Sequence, residues 1–232
     1  MKNRDNIIRY YKGTDNGALA ARLIDLADST DKGRPYAVSE FVSPGAVQIG
    51  ETVSAHAATL VLRVNGGYEG AERVKLCFIR NDYEGSVDFG LTACRITWDA
   101  RYRLLGHRDV LGALMSLGID RGRFGDIIMH EDGAVVLVDT KLLPYLQQNL
   151  EKIAMVSVTI SEVPVASIPP RREKIKEIKT TVASLRLDAV VSSGFGISRT
   201  KAAEAIKGER VQVNWQPAKG ASQEVGDRKS TR

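Results

Sequence analysis

The chain has 232 residues, 43% apolar and 26% charged, with a formal net charge of +5, a composition that argues against disorder except at the ends. The longest apolar runs, such as 57–62 and 134–138, are far too short to span a membrane, and no apolar stretch follows the opening Met1-Lys2-Asn3-Arg4-Asp5, so neither a transmembrane helix nor a secretory leader is expected. Two cysteines, Cys77 and Cys94, lie outside any Cys-x-x-Cys or Cys/His cluster; they argue against a metal site or disulfide framework and fit buried thiols in a cytoplasmic protein.

Residues 1–73 read as a helical domain. Leu19, Leu23 and Leu26, with Ala20 and Ala27, make one helix face, and Val53, Ala57, Leu60, Val61 and Val64 make a second. Ser43-Pro44 is a helix start, because proline at the first helical position gives up a donor that would have no partner there. The run Gly66-Gly67-Tyr68-Glu69-Gly70 then breaks the pattern.

Residues 74–165 are expected to form an α+β domain. Strands are predicted at 74–79 and 91–98, then a helix over 109–117 with Asp109 as a first-turn acid. A hairpin follows, 127–129 against 134–138, turning at Asp132-Gly133. A helix over 141–153 and a closing strand over 156–163 complete the order β-β-α-β-β-α-β, which fits a small α/β sandwich of RRM-like type with its helices on one sheet face. The aromatic-rich signature of RNA-recognition motifs is absent. Arg95, Arg101, Arg103, Arg108, Arg121 and Arg123 could meet phosphate, a solvated surface being the equal alternative.

Pro164, Pro169 and Pro170, with the charge run Arg171-Arg172-Glu173-Lys174, mark 166–182 as a linker. From residue 171 onward there are 14 Lys and Arg against 7 Asp and Glu, whereas residues 1–170 carry 19 against 21. A basic module on a near-neutral body is the electrostatic footprint of a nucleic-acid binder.

Residues 183–232 are that module. A first helix is predicted over 184–193, with Leu185, Ala189 and Val190 inward and Arg186 one residue off that face. Gly194-Phe195-Gly196 ends it, and Ser198 caps a second helix in which Ala202, Ala203 and Ile206 face inward. Gly208 ends this helix, and Val211 and Val213 alternate along a strand. Arg186, Arg199, Lys201, Lys207 and Arg210 are candidates for one phosphate-binding surface, with Ser198 at its edge and Asn214 and Trp215 offering hydrogen bonds and stacking to unpaired bases. A merely solvated helix face is the rival explanation.

The module resembles the S-four RNA-binding domain through Arg186-Leu187-Asp188, Gly194, Ser198-Arg199-Thr200-Lys201-Ala202, Ile206-Lys207-Gly208, Val211-Gln212-Val213-Asn214 and Gly226-Asp227. With Gly66–Arg73, His107–Leu114, Gly125-Asp126-Ile127 and Val213-Asn214-Trp215, essentially the whole chain resembles the YlmH-type bacterial proteins. That resemblance implies a protein without catalysis or cofactor that binds structured RNA, rRNA and tRNA, on the ribosomal large subunit. It also implies a link to rescue or quality control of stalled large subunits, and to a cell-division gene neighbourhood. After Gly226-Asp227 the family continues as an apolar strand; here Arg228-Lys229-Ser230-Thr231-Arg232 follows, so the module is expected to lack its last strand.

Other chemistries are weaker. His107-Arg108-Asp109 and Asp88-Phe89-Gly90 echo protein-kinase signatures, but in the wrong order and without the glycine-rich loop. Arg186-Leu187-Asp188 echoes a pseudouridine-synthase motif with too little chain after it for a catalytic domain. His56, His107 and His130 are scattered and supply no ligand set. The rival functions are an RNA-modifying enzyme, which would produce a modified nucleoside, and a cell-division interaction protein, whose partner would survive ribonuclease.

Overall fold

The computed structural model describes residues 9, 11, 16–99, 101, 103–170, 178–213 and 216–226. It divides into two compact units, Met1–Arg172 and Glu173–Arg232.

The first unit holds two sheets. Helix α1 (Gly17–Asp31) buries Ala20, Leu23, Ile24 and Ala27, the i, i+3, i+4, i+7 spacing of one face. Strand β1 (Tyr36–Val42) follows, then helix α2 (Pro44–Ala55), which has its proline in the first turn and buries Ala46, Ile49, Gly50 and Val53. Strands β2 (Leu60–Asn65) and β3 (Val74–Arg80) complete an antiparallel sheet in the order β1-β3-β2, and both helices pack on it.

Two expectations are corrected here. The N-terminal part is not purely helical: Tyr36–Val42 and Leu60–Asn65 are strands. Val61 and Val64 fit a helical period, but their backbone pairs with Ile79 and Leu76 instead; a partner strand outweighs a marginal periodicity, and β-branched residues favour that outcome. Val74–Arg80 does not open the middle sheet; it is the central strand of the first one, so a boundary at residue 74 would cut through a hydrogen-bonded sheet.

The second sheet is the expected α+β sandwich. Its elements are β4 (Leu91–Trp98), α3 (His107–Ser116), β5 (Phe124–His130), β6 (Gly133–Asp139), α4 (Leu143–Asn149), β7 (Lys152–Ile153) and β8 (Val156–Val163). The strands run antiparallel in the order β5-β6-β4-β8-β7, so the chain path is the β-α-β-β-α-β of the split-βαβ class. His130 pairs with Gly133 across the expected tight turn. The helix predicted over 141–153 is shorter, because Ala154 and Met155 adopt positive φ and fold Lys152-Ile153 back onto Val156-Ser157 as a small hairpin.

Alternation along the strands separates the two faces of this sheet. Cys94, Ile96, Trp98, Ala134, Val136 and Val138 face α3 and α4, meeting Val110, Leu114, Leu143 and Leu146. Ala93, Val135 and Leu137 face the other way, onto Phe41, Tyr68, Val165 and Ile168. Gly125 allows the approach of β1, since a Cβ there would lie 2.8 Å from the Phe41 ring. Lys75 on β3 is buried and reaches Asp139 at the end of β6; its ammonium also donates to the carbonyls of Phe89 and Gly90, each at 3.1 Å. Asp139 is also met by Arg123 at 3.0 Å. Tyr68 donates its hydroxyl to Asp126 at 2.8 Å, and the same carboxylate accepts the amides of Glu72 and Arg73 at 2.8 and 3.0 Å.

The second unit contains α5 (Leu187–Phe195), α6 (Arg199–Lys207) and the short pair β9 (Gln212–Val213) and β10 (Gln216–Pro217). Its core is Leu187, Val191, Ala202 and Ile206, closed by Ile197, Val211, Val213, Ala218, Ala221 and Val225. Residues 221–225 return beside the start of α5, where Leu187 and Asp188 donate to the carbonyls of Gln223 and Ala221. Leu185, expected inward, is 54% exposed, because α5 begins later than predicted and turns Leu187 and Val191 inward instead. The expected absence of a last strand concerns residues 227–232, outside the described residues.

Candidate nucleic-acid interface

The electrostatic centre of the second unit is Asp188. It lies in the first turn of α5, where an acid meets the positive end of the helix dipole. Arg186, at the cap position of the same helix, donates Nε and Nη2 to it at 3.2 and 3.0 Å, and Arg199, the first residue of α6, donates Nη2 at 3.0 Å. The hydrogen bonds from Arg186 hold the Asp188 carboxyl down to about 2; burial opposes them, and the bond from Arg199 reinforces them. One buried carboxylate thus orients two arginines, whose side chains remain 44% and 57% exposed and carry one positive charge in excess.

Gly196, at φ 63°, ends α5 in the left-handed region as expected. The Ser198 oxygen then accepts the amide of Lys201 at 3.2 Å, so this side chain is engaged as the cap of α6. Lys201 and Lys207 are exposed on the solvent half of α6, roughly 60° to either side of its outermost line at 100° per residue. Glu204 stands between them. Arg210 is exposed in the turn that follows, after Glu209 at φ 54°. None of Lys201, Lys207 and Arg210 is in an ion pair among the described residues. The fold therefore joins Arg186 and Arg199 and leaves these three cations without a common anchor. Asn214 and Trp215 lie outside the described residues.

The sequence reading missed two features here. Asp188 was only part of a motif, although its spacing before an apolar helix run marks a first-turn acid that a nearby arginine could find. Phe195 is 78% exposed on the Gly194-Phe195-Gly196 corner, and its apolar type gave no signal of that.

Five of the six middle arginines are engaged by neighbouring groups, and Arg108 is exposed on α3. Arg95 pairs with Asp132 at 2.7 Å, Arg101 with Asp99 at 2.7 Å, Arg103 with Asp109 at 3.5 Å and Arg123 with Asp139 at 3.0 Å. Arg121 donates to the carbonyls of Phe124 and Gly125. The sheet face on which RNA-recognition motifs stack bases is covered at one end by Phe41, Tyr68 and Ile168. The kinase-like triplets have local duties. Asp109 accepts the Gly106 amide at 2.8 Å at the start of α3, and Phe89 and Gly90 hold Lys75. Among the described residues no cluster of His, Cys, Asp and Glu could hold a metal ion, and no helix is long and apolar enough to cross a membrane.

Residues 85–167 match the family described as "Putative RNA-binding domain in YlmH", and residues 185–228 match the S4 domain. A curated relative, ribosome-associated protein quality control protein P2 of Bacillus subtilis (strain 168), is 29% identical over 191 residues, covering 82% of this chain and 74% of its own. A solved structure titled cell division protein ylmH, from Streptococcus pneumoniae, superposes with a TM-score of 0.56 at 21% identity, over 66% of this chain and 93% of its own. The latter likeness is one of fold.

Proposed function

Because this is a YlmH-type chain with an S4 domain at its carboxyl end, we propose that it is a non-catalytic, cytoplasmic factor that binds structured RNA on the ribosome. Its binding target is the folded rRNA of the large subunit together with tRNA, and its task is quality control of stalled large subunits. Support for the ribosome comes from the name of the curated relative. Support for the RNA contact comes from the C-terminal unit, where Arg186, Arg199, Lys201, Lys207 and Arg210 are the candidate phosphate contacts and Asp188 fixes the first two.

In this reading the oriented arginines dock on sugar-phosphate backbone and the flexible lysines add long-range attraction. Phosphate contacts release counterions, so affinity must fall steeply with salt. Asn214 and Trp215 are proposed to read unpaired bases. The test is binding of the full chain to large subunits and to isolated rRNA across a salt series. Arg199→Ala with Lys201→Ala should weaken binding and reduce the salt slope by about one per lost phosphate contact. Unchanged affinity and slope refute the surface, and a ribosome-free, ribonuclease-insensitive partner would favour an interaction role instead.

A further inference from the structure

The function proposed above leaves unused a cleft in the first unit, of about 730 Å³, lined by Tyr68, Arg73, Arg121, Ile127 and Pro169 and also by the acidic Glu72 and Asp126. Arg73 donates Nη2 to the carbonyls of Phe41 at 2.8 Å and Arg121 at 3.2 Å. Arg121 donates Nη1 to those of Phe124 at 2.6 Å and Gly125 at 3.1 Å, and lies 4.4 Å from the centroid of the Phe124 ring. Every one of these partners is neutral.

Neither guanidinium is in an ion pair among the described residues. The nearby carboxylate of Asp126 already takes the Tyr68 hydroxyl and two backbone amides. Burial lowers the Arg121 pKa to about 10, with the Arg73 charge adding to the effect, and burial lowers that of Arg73 too; in both cases the Asp126 charge opposes the shift without cancelling it. Arg73 Nε is buried without a hydrogen-bond partner. Two desolvated cations that repel each other, offset only in part by Asp126, are costly unless a further anion completes them.

We propose that this cleft binds a nucleotide, with its phosphate between Arg73 and Arg121 and its base or ribose against Tyr68, Ile127 and Pro169. Adjacent guanidinium groups present forks of N–H donors that suit phosphate oxygens, and the apolar wall suits the rest of a nucleotide better than a bare anion. A free mononucleotide and one residue of an RNA strand offer the same chemistry. The site does not depend on the basic surface of the C-terminal unit.

The test titrates the full chain with inorganic phosphate, with AMP and with a short single-stranded RNA, while following the arginine Nε–Hε resonances by NMR. Because RNA can also meet the C-terminal unit, the Arg121 resonance rather than total affinity reads that arm. Saturable shifts with AMP identify a free nucleotide as ligand, and shifts with RNA alone identify a strand. Arg121→Gln should weaken AMP binding, or RNA binding at this site, by about tenfold or more, the loss expected for a charge-assisted hydrogen bond. If that variant does not fold, Arg121→Lys keeps the charge without the fork and serves in its place. Binding of inorganic phosphate only, no saturable shift with any probe, or equal affinity in a folded Arg121 variant overturns the site. Those outcomes leave the salt-dependent binding of the C-terminal surface untouched.

Discussion

Arg199 donates to the Asp188 carboxylate at 3.0 Å, so the first residue of α6 is tied to the first turn of α5. The tie depends on pH. The Asp188 carboxyl, ordinarily at 3.8, sits at about 2, chiefly through its hydrogen bonds from Arg186. A carboxyl lowered in the folded state stabilises fully above about pH 4, and that contribution is lost as pH falls through about 2. Acid unfolding of the C-terminal unit should show this loss, and Asp188→Asn should abolish it while lowering stability at neutral pH. A variant with the wild-type acid profile would refute the assignment.

Lys75 and Asp139 tie the two sheets of the first unit from within, at 4% and 8% exposure. Removing one partner of a buried pair leaves a desolvated charge and costs about 3–5 kcal/mol. Lys75→Met should therefore lower the denaturation midpoint steeply, although Arg123 still meets Asp139. A loss under about 1 kcal/mol, the range of an exposed pair, would mean that water reaches this site.

The two thiols should be inert in the folded protein. Burial pushes Cys77 up to about 11 and Cys94 up to about 12, so almost no thiolate exists near neutral pH. A thiol-reactive dye should label neither until denaturant is added. Rapid labelling of either residue in native protein would contradict their complete burial.

The C-terminal unit rests on few buried side chains, so truncating one should be disproportionately damaging. Ile206, 2% exposed, packs with Leu187, Val191 and Ala202. Ile206→Ala should cost about 2–5 kcal/mol, enough to unfold this small unit while the first unit stays folded. Hydrogen exchange would show protection lost after residue 178 and kept before 170; equal protection on both sides would count against independent folding.

Much of this architecture was legible because local rules agreed with the fold. Ser198, Gly196 and the apolar spacing of Ala202 and Ile206 are capping and periodicity signals that no distant contact needed to confirm. The same holds for the hairpin at Asp132-Gly133 and the first-turn acid at Asp109. The reading failed where pairing between remote segments decided the outcome. Leu60–Asn65 is a strand because β3 lies beside it, and β3 belongs to the first sheet because β1 flanks its other edge. The same limit hid Asp126, which becomes significant only when Tyr68, 58 residues away, reaches it. At the candidate surface, composition located the charge, but which cations are oriented follows from the packing of α5 against α6.

The coating of Ala93, Val135 and Leu137 by Phe41 and Tyr68 has a practical corollary for dissecting the molecule. A fragment trimmed to residues 85–167, the span that sequence comparison picks out, would keep its strands and helices but bare a greasy flank to water. Such a fragment would self-associate, and its stickiness toward RNA would report the cut rather than the native surface.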